Sequence, residues 1–324
     1  MPLVKAVLAA SAVLAACVLS QSAHSQDWPQ RPVKIIVPFA PGGNADGMAR
    51  IIGQRLGEVW GQQFVVENRT GAGGTLAVES VVRSPADGYT LLWGVQPQIV
   101  IIPHMQKVNY DPVKDLAPVS VLATNPFVLA VNAKIPPKTV AEFVAWVKAQ
   151  PGKVSYGSSG LGSVAQLAMA LFLKRADIDM TAVHYRGNAP ALADVVAGHV
   201  PAMFSSLADA LPQAAAGSIR LLAVSGDKRA AQVPEVPTVG EAGYAGYKVV
   251  TWNGLMAPAQ TPKPIVDKIA AEVARAVKDA AFAERLTKFG VDPLGNNPAE
   301  FATLIQAELP LWAEAVSIAG VKQQ

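Results

Sequence analysis

Short apolar runs alternate with segments of helical periodicity along most of this chain, and glycine-rich turns separate the two. Runs rich in Val, Ile and aromatic residues predict strands, and apolar residues three and four positions apart predict amphipathic helices. Alternation of the two is typical of an α/β fold, in which helices cover a sheet. Strands are predicted at residues 33–38, 64–67, 89–94, 119–123, 127–132, 154–156, 182–184, 202–204 and 221–224. Helices are predicted at 45–60, 75–83, 140–149, 164–174, 189–197, 265–280 and 299–318.

The first glycine turn, PFAPGGNAD, joins a predicted strand to a predicted helix. Glycine permits positive φ angles, and the N–H groups at a helix N-terminus attract phosphate or carboxylate groups. The residues from Pro41 to Asp46 are therefore a candidate anion site. A structural alternative stays open, in which Gly42 and Gly43 only shape the turn and Asn44 caps the helix. For Asp46 the structural role is favoured, because an acidic residue in the first helical turn complements the helix dipole.

A second turn, YGSSGLGS, repeats this strand–turn–helix arrangement further along the chain. Its serine hydroxyls and glycine N–H groups suit a carboxylate or a phosphate, and two such turns facing each other would hold an anion from both sides. The segment Gly160–Ala165 also fits the dinucleotide pattern G-x-G-x-x-A. However, the preceding strand is predicted to end too early, at Tyr156, and no acidic residue closes the next strand. A nicotinamide site is therefore not expected.

A third turn, NRTGAGGT, again stands between a predicted strand and a predicted helix. It contains Gly73, Gly74 and Thr75, but no lysine follows its glycines, which excludes a nucleotide-binding P-loop. Arg69 could pair with a ligand carboxylate, although a surface role is favoured for it.

Charge and residue content argue against several other functions. The formal net charge is +3, and no basic run is interleaved with aromatic residues, so a nucleic-acid-binding role is not indicated. The single cysteine, Cys17, lies near the N-terminus, and the histidines are too dispersed to suggest a metal site. No cofactor and no metal are predicted. A serine hydrolase that uses Ser158 or Ser159 remains an alternative, although no base can be named for either serine.

Residues 1–25 have the features of an export signal. Lys5 precedes an apolar stretch that is too short to span a membrane, and Ala23-His24-Ser25 fits the small-x-small cleavage rule. Cleavage near Ser25 would release a soluble protein into the periplasm. The alternative is a lipobox around Cys17, which would leave a lipid anchor on that cysteine.

The chain resembles a known family over residues 28 to 321. The segments that carry the likeness are, in order, RPVKIIVPFAPGGNADGMAR, VVENRTGAGGT, SPADGYTLLWG, YDPVKDLAPVS, QPGKVSYGSSGLGS, VHYRGNAPALADVVAGHV, VPTVGEAGY and WNGLMAPAQTP. They resemble the Bug family, the TctC-like periplasmic solute-binding proteins of tripartite tricarboxylate transporters.

The resemblance implies a two-domain Venus-flytrap binding protein, type II-like, in which each domain is a mixed sheet flanked by helices. It implies one domain of residues 26–125 and 247–324, a second of residues 126–246, and a hinge of crossing strands beside the ligand cleft. It further implies a small di- or tricarboxylate or an aromatic carboxylate as ligand, and membrane transporter subunits as partners. A sensor that delivers the ligand to a membrane receptor kinase is the alternative. A monomer is expected.

The family motifs and the turns together define the predicted ligand-binding residues. These are Pro41, Gly42, Gly43, Asn44, Ala45 and Asp46 in the first turn; Gly73, Gly74 and Thr75 in the third turn; Gly94, Val95 and Gln96 after the third strand; Tyr156, Gly157, Ser158, Ser159, Gly160, Gly162 and Ser163 in the second turn; Tyr185, Arg186 and Gly187; and Ser205 and Ser206.

The chain also departs from the family pattern. Gln166 stands where the family often has His, and Pro201 stands where it usually has Asp. The missing acidic residue favours a plain carboxylate over an amino acid, whose ammonium group would need neutralising. Trp93 and Phe39 flank predicted cleft loops and could stack on an aromatic ligand, with a core role as the favoured alternative for each.

Overall fold

The computed structural model describes residues 28–321, so the predicted export signal, its cleavage site and Cys17 lie outside the described residues. Within residues 28–321, no helix is both long enough and apolar enough to cross a membrane.

The first part of the chain contains parallel strands connected by helices. Its elements are β1 (Val33–Val37), α1 (Asn44–Trp60), β2 (Phe64–Asn68), α2 (Thr75–Val82) and β3 (Thr90–Val95). β1 lies between β2 and β3 and is parallel to both. The carboxyl ends of these strands therefore meet at one edge, which is where ligands bind in sheets of this kind. A 3-10 turn at Ala72–Gly74 precedes α2, and a π-helical turn at Pro97–Ile101 leads into α3 (Ile102–Met105).

A long strand then enters a second set of elements. They are β4 (Leu116–Asn132), α4 (Val140–Lys148), β5 (Ser155–Ser158), α5 (Val164–Ala176), β6 (Thr181–His184), α6 (Asn188–Ala197), β7 (Ala202–Ser206), α7 (Leu207–Ala215) and β8 (Ile219–Val224). β5 is parallel to β6 and β7, whereas β4 is antiparallel to β7 and β8. The carboxyl ends of β5, β6 and β7 again meet at one edge.

The chain finally returns to the first part. The remaining elements are β9 (Val250–Pro258), α8 (Lys263–Ala276), α9 (Ala280–Thr287), β10 (Asp292–Pro293) and α10 (Pro298–Ile318). β9 lies antiparallel between β3 and β4, which completes the strand order β2-β1-β3-β9-β4-β7-β5-β6.

Two chain segments cross between the parts side by side. The first half of β4 pairs with β9, and its second half, from Phe127 onward, pairs with β7 and β8. The return segment crosses at the same level, where Ser225 N–H donates to the Phe127 carbonyl at 2.8 Å and Val249 N–H donates to the Ser225 carbonyl at 2.9 Å. These crossings support the predicted hinge, while the domain boundaries at 125/126 and 246/247 stay predictions.

Helix α10 packs against both parts of the molecule. It starts at a capping box, in which Asn297 Oδ1 accepts from Glu300 N–H at 2.9 Å and Glu300 Oε2 accepts from Asn297 N–H at 3.0 Å. Its buried Trp312 shares one hydrophobic core with Leu92 of β3 and Phe172 of α5. α10 therefore ties the two parts together on the side away from α1 and α6, which have separate cores of their own.

The strands predicted at 119–123 and 127–132 are one continuous strand, β4. Pro126 stands between the two predicted segments, and a proline, which lacks an N–H, is rare inside a central strand. In the structure Pro126 lies opposite Val250, at the level where β4 changes partners from β9 to β7 and β8. The strand tolerates the proline there because its neighbours also change.

The prediction missed α3, α7, β9, β10 and nearly all of α9, and it extended α8 to residue 280, past its end at Ala276. β9 contains Asn253 and Gly254, a pair that favours turns. Gly254 belongs in the strand because β4 passes so close that a side chain there would meet the backbone of Ser120. α7 begins immediately after β7, with Ser206 as its cap, so no loop separates the two. Asp279 caps α9 and thereby starts a new helix inside the predicted segment.

Candidate ligand-binding cleft

The carboxylate of Asp46 stabilises the first turn through hydrogen bonds. Gly42 N–H donates to its Oδ2 at 3.0 Å, Arg50 contacts both oxygens at 2.9 and 3.0 Å, and Asn68 Nδ2 donates to Oδ1 at 2.9 Å. Burial alone would raise the pKa of Asp46, but the hydrogen bonds from Arg50, Gly42 and Asn68 outweigh it and lower that pKa to about 2. Asp46 is 3% exposed. It therefore positions the turn and does not offer itself to a ligand.

The same network decides which amides of the first turn are available. Position 42 favours glycine because its φ is +86°. The N–H of Gly42 is not available to a ligand, because it donates to Asp46 Oδ2. Gly43 is the N-cap residue of α1 and supplies no side-chain cap. Asn44 does not cap the helix, since its Nδ2 donates instead to the Phe289 carbonyl at 3.4 Å. Within residues 28–321, the amides of Asn44 and Ala45 have no acceptor, so they are the donors that this turn offers to an anion.

These amides border a cavity of about 580 Å³. Its lining contains amide, backbone and apolar groups but no acidic, basic or histidine side chain among the described residues. The lining residues are Phe39, Ala40, Pro41, Gly43, Asn44, Ala45, Met48, Val95, Asn125 and Asn253. An anion bound here would be neutralised by the α1 N-terminus, because the cavity lining provides no cationic side chain.

Two lining residues, Asn125 and Asn253, were absent from the sequence prediction. They lie on the neighbouring strands β4 and β9, at the level of the crossing segments. Asn125 Nδ2 donates to Thr251 Oγ1 at 3.2 Å, whereas the side chain of Asn253 makes no hydrogen bond with any described residue. In the sequence, the only indication that Asn125 and Asn253 could bind a ligand is that each places a polar amide inside a largely apolar segment.

The third turn supports the first turn and does not line the cavity. Gly73 and Gly74 have φ angles of +66° and +94°, and a side chain on Gly74 would meet Pro38 at 2.9 Å. Thr75 is buried, and its Oγ1 donates to the Ala72 carbonyl at 3.0 Å. Arg69 pairs with Glu67 at 2.7 Å, which agrees with the surface role favoured for it.

Three residues at the end of the predicted third strand, Gly94, Val95 and Gln96, were predicted to bind the ligand, and one of them lines the cavity. Val95 lines it, and Gly94 faces the neighbouring strand β9, where it lies opposite Gly254. Gln96 is 0% exposed, and its Nε2 donates to the Val250 carbonyl at 2.8 Å and to Glu308 Oε2 at 2.9 Å. The Gln96 side chain therefore lies behind the cavity wall, away from any ligand.

Gln96 is part of a buried network centred on the carboxyl of Glu308. Trp252 Nε1 donates to Glu308 Oε2 at 2.8 Å, alongside Gln96. Burial raises the pKa of Glu308 to about 7, against the opposing hydrogen bonds from Trp252 and Gln96. Gln96 and Trp252, which both donate to this carboxyl of α10, are each next in the chain to a residue that lines the cavity. Val95 precedes Gln96, and Asn253 follows Trp252.

The second turn uses most of its polar groups internally. Ser158 is fully buried, and its Oγ lies 3.0 Å from both the Gly160 carbonyl and His184 Nδ1. Gly162 N–H donates to Gln166 Oε1 at 2.6 Å, and Ser163 caps α5 by accepting from Gln166 N–H at 3.3 Å. These contacts, with the hydrogen bond from Gly160 N–H to Ser158 Oγ, occupy the N–H groups of Gly160, Gly162 and Gln166.

The other residues predicted in the second turn follow its strand. Tyr156 and Gly157 are buried in β5, whereas Ser159 and Gly160 lie beyond the end of that strand. β5 ends at Ser158, later than predicted, which removes one reason for rejecting a dinucleotide site. The other reason remains, because β6 ends at His184 with no acidic residue there.

The remaining predicted residues follow β6 and β7. Tyr185 OH donates to Asp194 Oδ2 at 2.6 Å. Burial, and to a smaller extent this hydrogen bond, raises the pKa of Tyr185 to about 12. Arg186 is exposed and makes no ion pair with a described residue. Gly187 N–H donates to the Ser159 carbonyl at 3.2 Å, which joins this segment to the second turn.

Both predicted serines after β7 have partners in the structure. Ser205 Oγ accepts from Asn188 Nδ2 at 3.0 Å, and Ser206 Oγ accepts from Asp209 N–H at 3.3 Å to cap α7. α7 also touches the loop after α9, where a side chain on Gly290 would overlap Ala208. Neither serine lines the cavity, although this loop also contacts the first turn, where Asn44 donates to the Phe289 carbonyl.

A family model described as the tripartite tricarboxylate transporter family receptor, TctC, matches residues 48–320. Among solved structures, Rpa4515 of R. palustris with adipate is 36% identical, with a TM-score of 0.76 over 92% of this chain and 100% of that one. The periplasmic binding protein BugD is 32% identical, with a TM-score of 0.72 over 92% of this chain and 100% of that one. MatC of Rhodopseudomonas palustris with bound malate is 35% identical, with a TM-score of 0.71 over 89% of this chain and 100% of that one.

Proposed function

Because the chain belongs to the tripartite tricarboxylate transporter receptor (TctC) family, whose members are periplasmic solute-binding proteins and not enzymes, we propose that it captures a small carboxylate for a membrane transporter. Family membership sets aside the serine hydrolase alternative, and the full burial of Ser158 agrees with that. The observation that carries the proposal is the α1 N-terminus, whose free amides border a cavity lined by no charged side chain among the described residues.

Backbone amides are sufficient to bind the charge. A hydrogen bond to an ionised acceptor contributes about 1.5–3 kcal/mol net. Two to four such bonds, after the cost of ordering the ligand, would give micromolar affinity, which corresponds to about 8 kcal/mol. The adipate and malate bound by the related proteins are both carboxylates, which supports this ligand class.

The aromatic version of the ligand has less support than the aliphatic one. Trp93 is 0% exposed and belongs to the core under α1, so it cannot stack on a ligand. Phe39 is 39% exposed and lines the cavity, where it could cover either an aliphatic or an aromatic body. The proposed ligand is therefore a small carboxylate with an apolar portion.

Binding would be accompanied by closure of the two predicted domains about the crossing segments. The cavity lies on the side of residues 26–125 and 247–324, whereas the second turn and Arg186 approach from residues 126–246. A ligand stabilises the closed form only by its preference for that form. The exported, monomeric form released by cleavage near Ser25 is part of the same proposal, and a lipid anchor at Cys17 is its alternative.

A thermal-shift screen of the mature protein, residues 26–324, tests this function. The protein is unfolded, stripped of bound ligand, refolded and heated with aliphatic and aromatic carboxylates, each beside its neutral methyl ester. At 100 times its dissociation constant a ligand adds about 2.7 kcal/mol, and each kcal/mol raises Tm by roughly 2–4 °C in a chain of this size. We expect a shift with one class of acids and none with their esters. Equal shifts with acids and esters, or none with any acid, would contradict carboxylate binding.

A further inference from the structure

We propose that Asn253, with Asn125 beside it, forms a subsite on the cavity floor that binds a neutral hydrogen-bonding group of the ligand, a hydroxyl or a carbonyl. This inference rests on the proposed function, because it concerns the part of the ligand that lies away from the carboxylate at the α1 N-terminus. It implies that the preferred ligand is a hydroxy or oxo acid, in contrast to an unsubstituted acid.

The two amides lie on one face of neighbouring strands. In the antiparallel pair β4 and β9, Asn253 is opposite Ala123 and Asn125 is opposite Thr251. Residues two apart on a strand point to the same face, so Asn125 and Asn253 are diagonal neighbours there. Both line the same cavity as Asn44 and Ala45, which places the floor within reach of a molecule held at the α1 N-terminus.

The amides of this pair have unused hydrogen-bonding capacity. Asn253 is 3% exposed, yet its side chain makes no hydrogen bond within residues 28–321. Asn125 uses one amide atom on Thr251 Oγ1, at 3.2 Å, and its Oδ1 is buried without a partner among the described residues. Buried polar groups are almost always paired, so the side chain of Asn253, which lines the cavity without a hydrogen bond to a described residue, indicates a partner that enters the cavity.

The chemistry of the floor selects a neutral group. A primary amide both donates and accepts hydrogen bonds, which matches a hydroxyl or a carbonyl. A second carboxylate at this place would lose its hydration without meeting a cation, because no basic side chain lines the cavity. An apolar group would leave the amide of Asn253 unpaired. The cavity floor therefore disfavours a ligand that places a second charge there and a ligand that has no polar group there.

Matched pairs of acids that differ by one hydroxyl test this subsite. The pairs are lactate and propionate, 3-hydroxybutanoate and butanoate, 4-hydroxybutanoate and butanoate, and malate and succinate, each titrated calorimetrically into the mature protein. We expect the hydroxylated member of at least one pair to bind roughly tenfold more tightly than its partner. In Asn253→Leu, which keeps the approximate size of the side chain, the two members of that pair should bind within twofold of each other.

Two further variants separate the subsite from a loss of folding. Asn109→Leu makes the same change at an exposed asparagine outside the cavity, and it should leave all affinities unchanged. Asn253→Asp keeps the shape but adds a negative charge, and it should weaken every carboxylate at least tenfold. A cooperative thermal transition in each variant shows that it is folded before the titrations, and Asn253→Asp should melt at a lower temperature than the wild type because its added charge is buried without a cation.

The outcomes distinguish the subsite from the function on which it rests. If carboxylates bind without preference within any pair, or if Asn253→Leu weakens both members of the preferred pair equally, the subsite is wrong while carboxylate binding stands. Unchanged affinities in Asn253→Asp would also overturn the subsite. If no member of any pair binds the wild-type protein, carboxylate binding fails together with the subsite.

Discussion

The first and second glycine turns have similar sequences, but they differ in what their backbone N–H groups do. In the first turn the N-cap residue of α1 is Gly43, which has no side chain, so the amides that follow remain free. In the second turn Ser163 caps α5, and Gln166 takes the N–H of Gly162. A side-chain cap occupies one of the unpaired N–H groups at a helix N-terminus and leaves fewer of them for an anion. The second turn therefore offers fewer free N–H groups than the first, which is the basis for the proposal that the ligand's charge is bound mainly at the first turn.

The two buried carboxyls near the cavity show a second contrast of the same kind. Asp46 receives charged and backbone donors, which lower its pKa to about 2 despite the opposing effect of burial. Burial dominates for Glu308 and raises its pKa to about 7, because its donors are the neutral side chains of Trp252 and Gln96. The depth of burial and the kind of donor together set the direction in which the pKa of each carboxyl is shifted.

Removing one amide from the first turn should have the largest effect on binding. Ala45→Pro deletes the N–H of Ala45, and proline is tolerated in the first turn of a helix. Losing one hydrogen bond to a carboxylate, about 1.5–3 kcal/mol, should weaken binding roughly 10- to 150-fold in a calorimetric titration. Ala281→Pro makes the same change in the first turn of α9, outside the cavity lining, and should leave the affinity unchanged. Equal affinities in the two variants would show that the α1 amides do not bind the ligand.

Neutralising Asp46 should loosen the first turn and lower the stability of the fold. Asp46→Asn cannot accept from all of Gly42, Arg50 and Asn68, and each buried donor left unpaired costs about 1–3 kcal/mol. Chemical denaturation should therefore report a lower free energy of unfolding, and ligand affinity should fall with it. Asp267→Asn removes a comparable i,i+4 carboxylate from an exposed pair with Lys263, and it should change stability by under about 0.5 kcal/mol. A similar small loss in Asp46→Asn would contradict the anchoring role.

The two carboxyls should give opposite pH dependences of stability. The pKa of Glu308 is raised from 4.5 to about 7, so its contribution is complete below about 4.5 and is lost as the pH rises through 7. The pKa of Asp46 is lowered from 3.8 to about 2, so its contribution is present above 3.8 and is lost as the pH falls through 2. In a Tm profile, Glu308→Gln should flatten the decline between pH 5 and 8, whereas Asp46→Asn should flatten the acid limb.

The matched control for the alkaline limb lies on the same helix. Glu314 is an exposed residue of α10 that pairs with Lys174 at 3.4 Å, so Glu314→Gln should leave the decline between pH 5 and 8 as it is in the wild type. A decline that persists unchanged in Glu308→Gln would mean that another group causes it.

Removing the cap of the second turn should have the smallest effect on binding. Ser163→Ala deletes the side chain that accepts from Gln166 N–H, which should cost about 1 kcal/mol of stability. The affinity for the carboxylate should change by less than about threefold in a calorimetric titration, because a lost cap is a local effect. A loss comparable to that of Ala45→Pro would show that both turns bind the charge directly, as the sequence comparison of the two turns suggested.

The predicted alternation of strands and helices depends on contacts within a few residues, and so does the capping box at Asn297. Such local interactions can be derived from spacing and residue type, and for that reason the α/β class and the family could be predicted. The predicted site contained Asn44, Ala45 and Val95, which do line the cavity, because they follow the strands of a recognisable motif. It also contained Gln96 and Asp46, whose side chains are engaged elsewhere by residues distant in sequence.

The sequence by itself determined the class of fold, the family and the position of the helix N-terminus proposed to bind the anion, because short-range periodicity and motif spacing encode them. The tertiary structure alone decided that β4 continues through Pro126, that β9 inserts between β3 and β4, and that Asn253 faces the cavity without a partner. These features depend on pairing between strands far apart in the chain. The energy of such pairing comes from neighbours that no local pattern identifies.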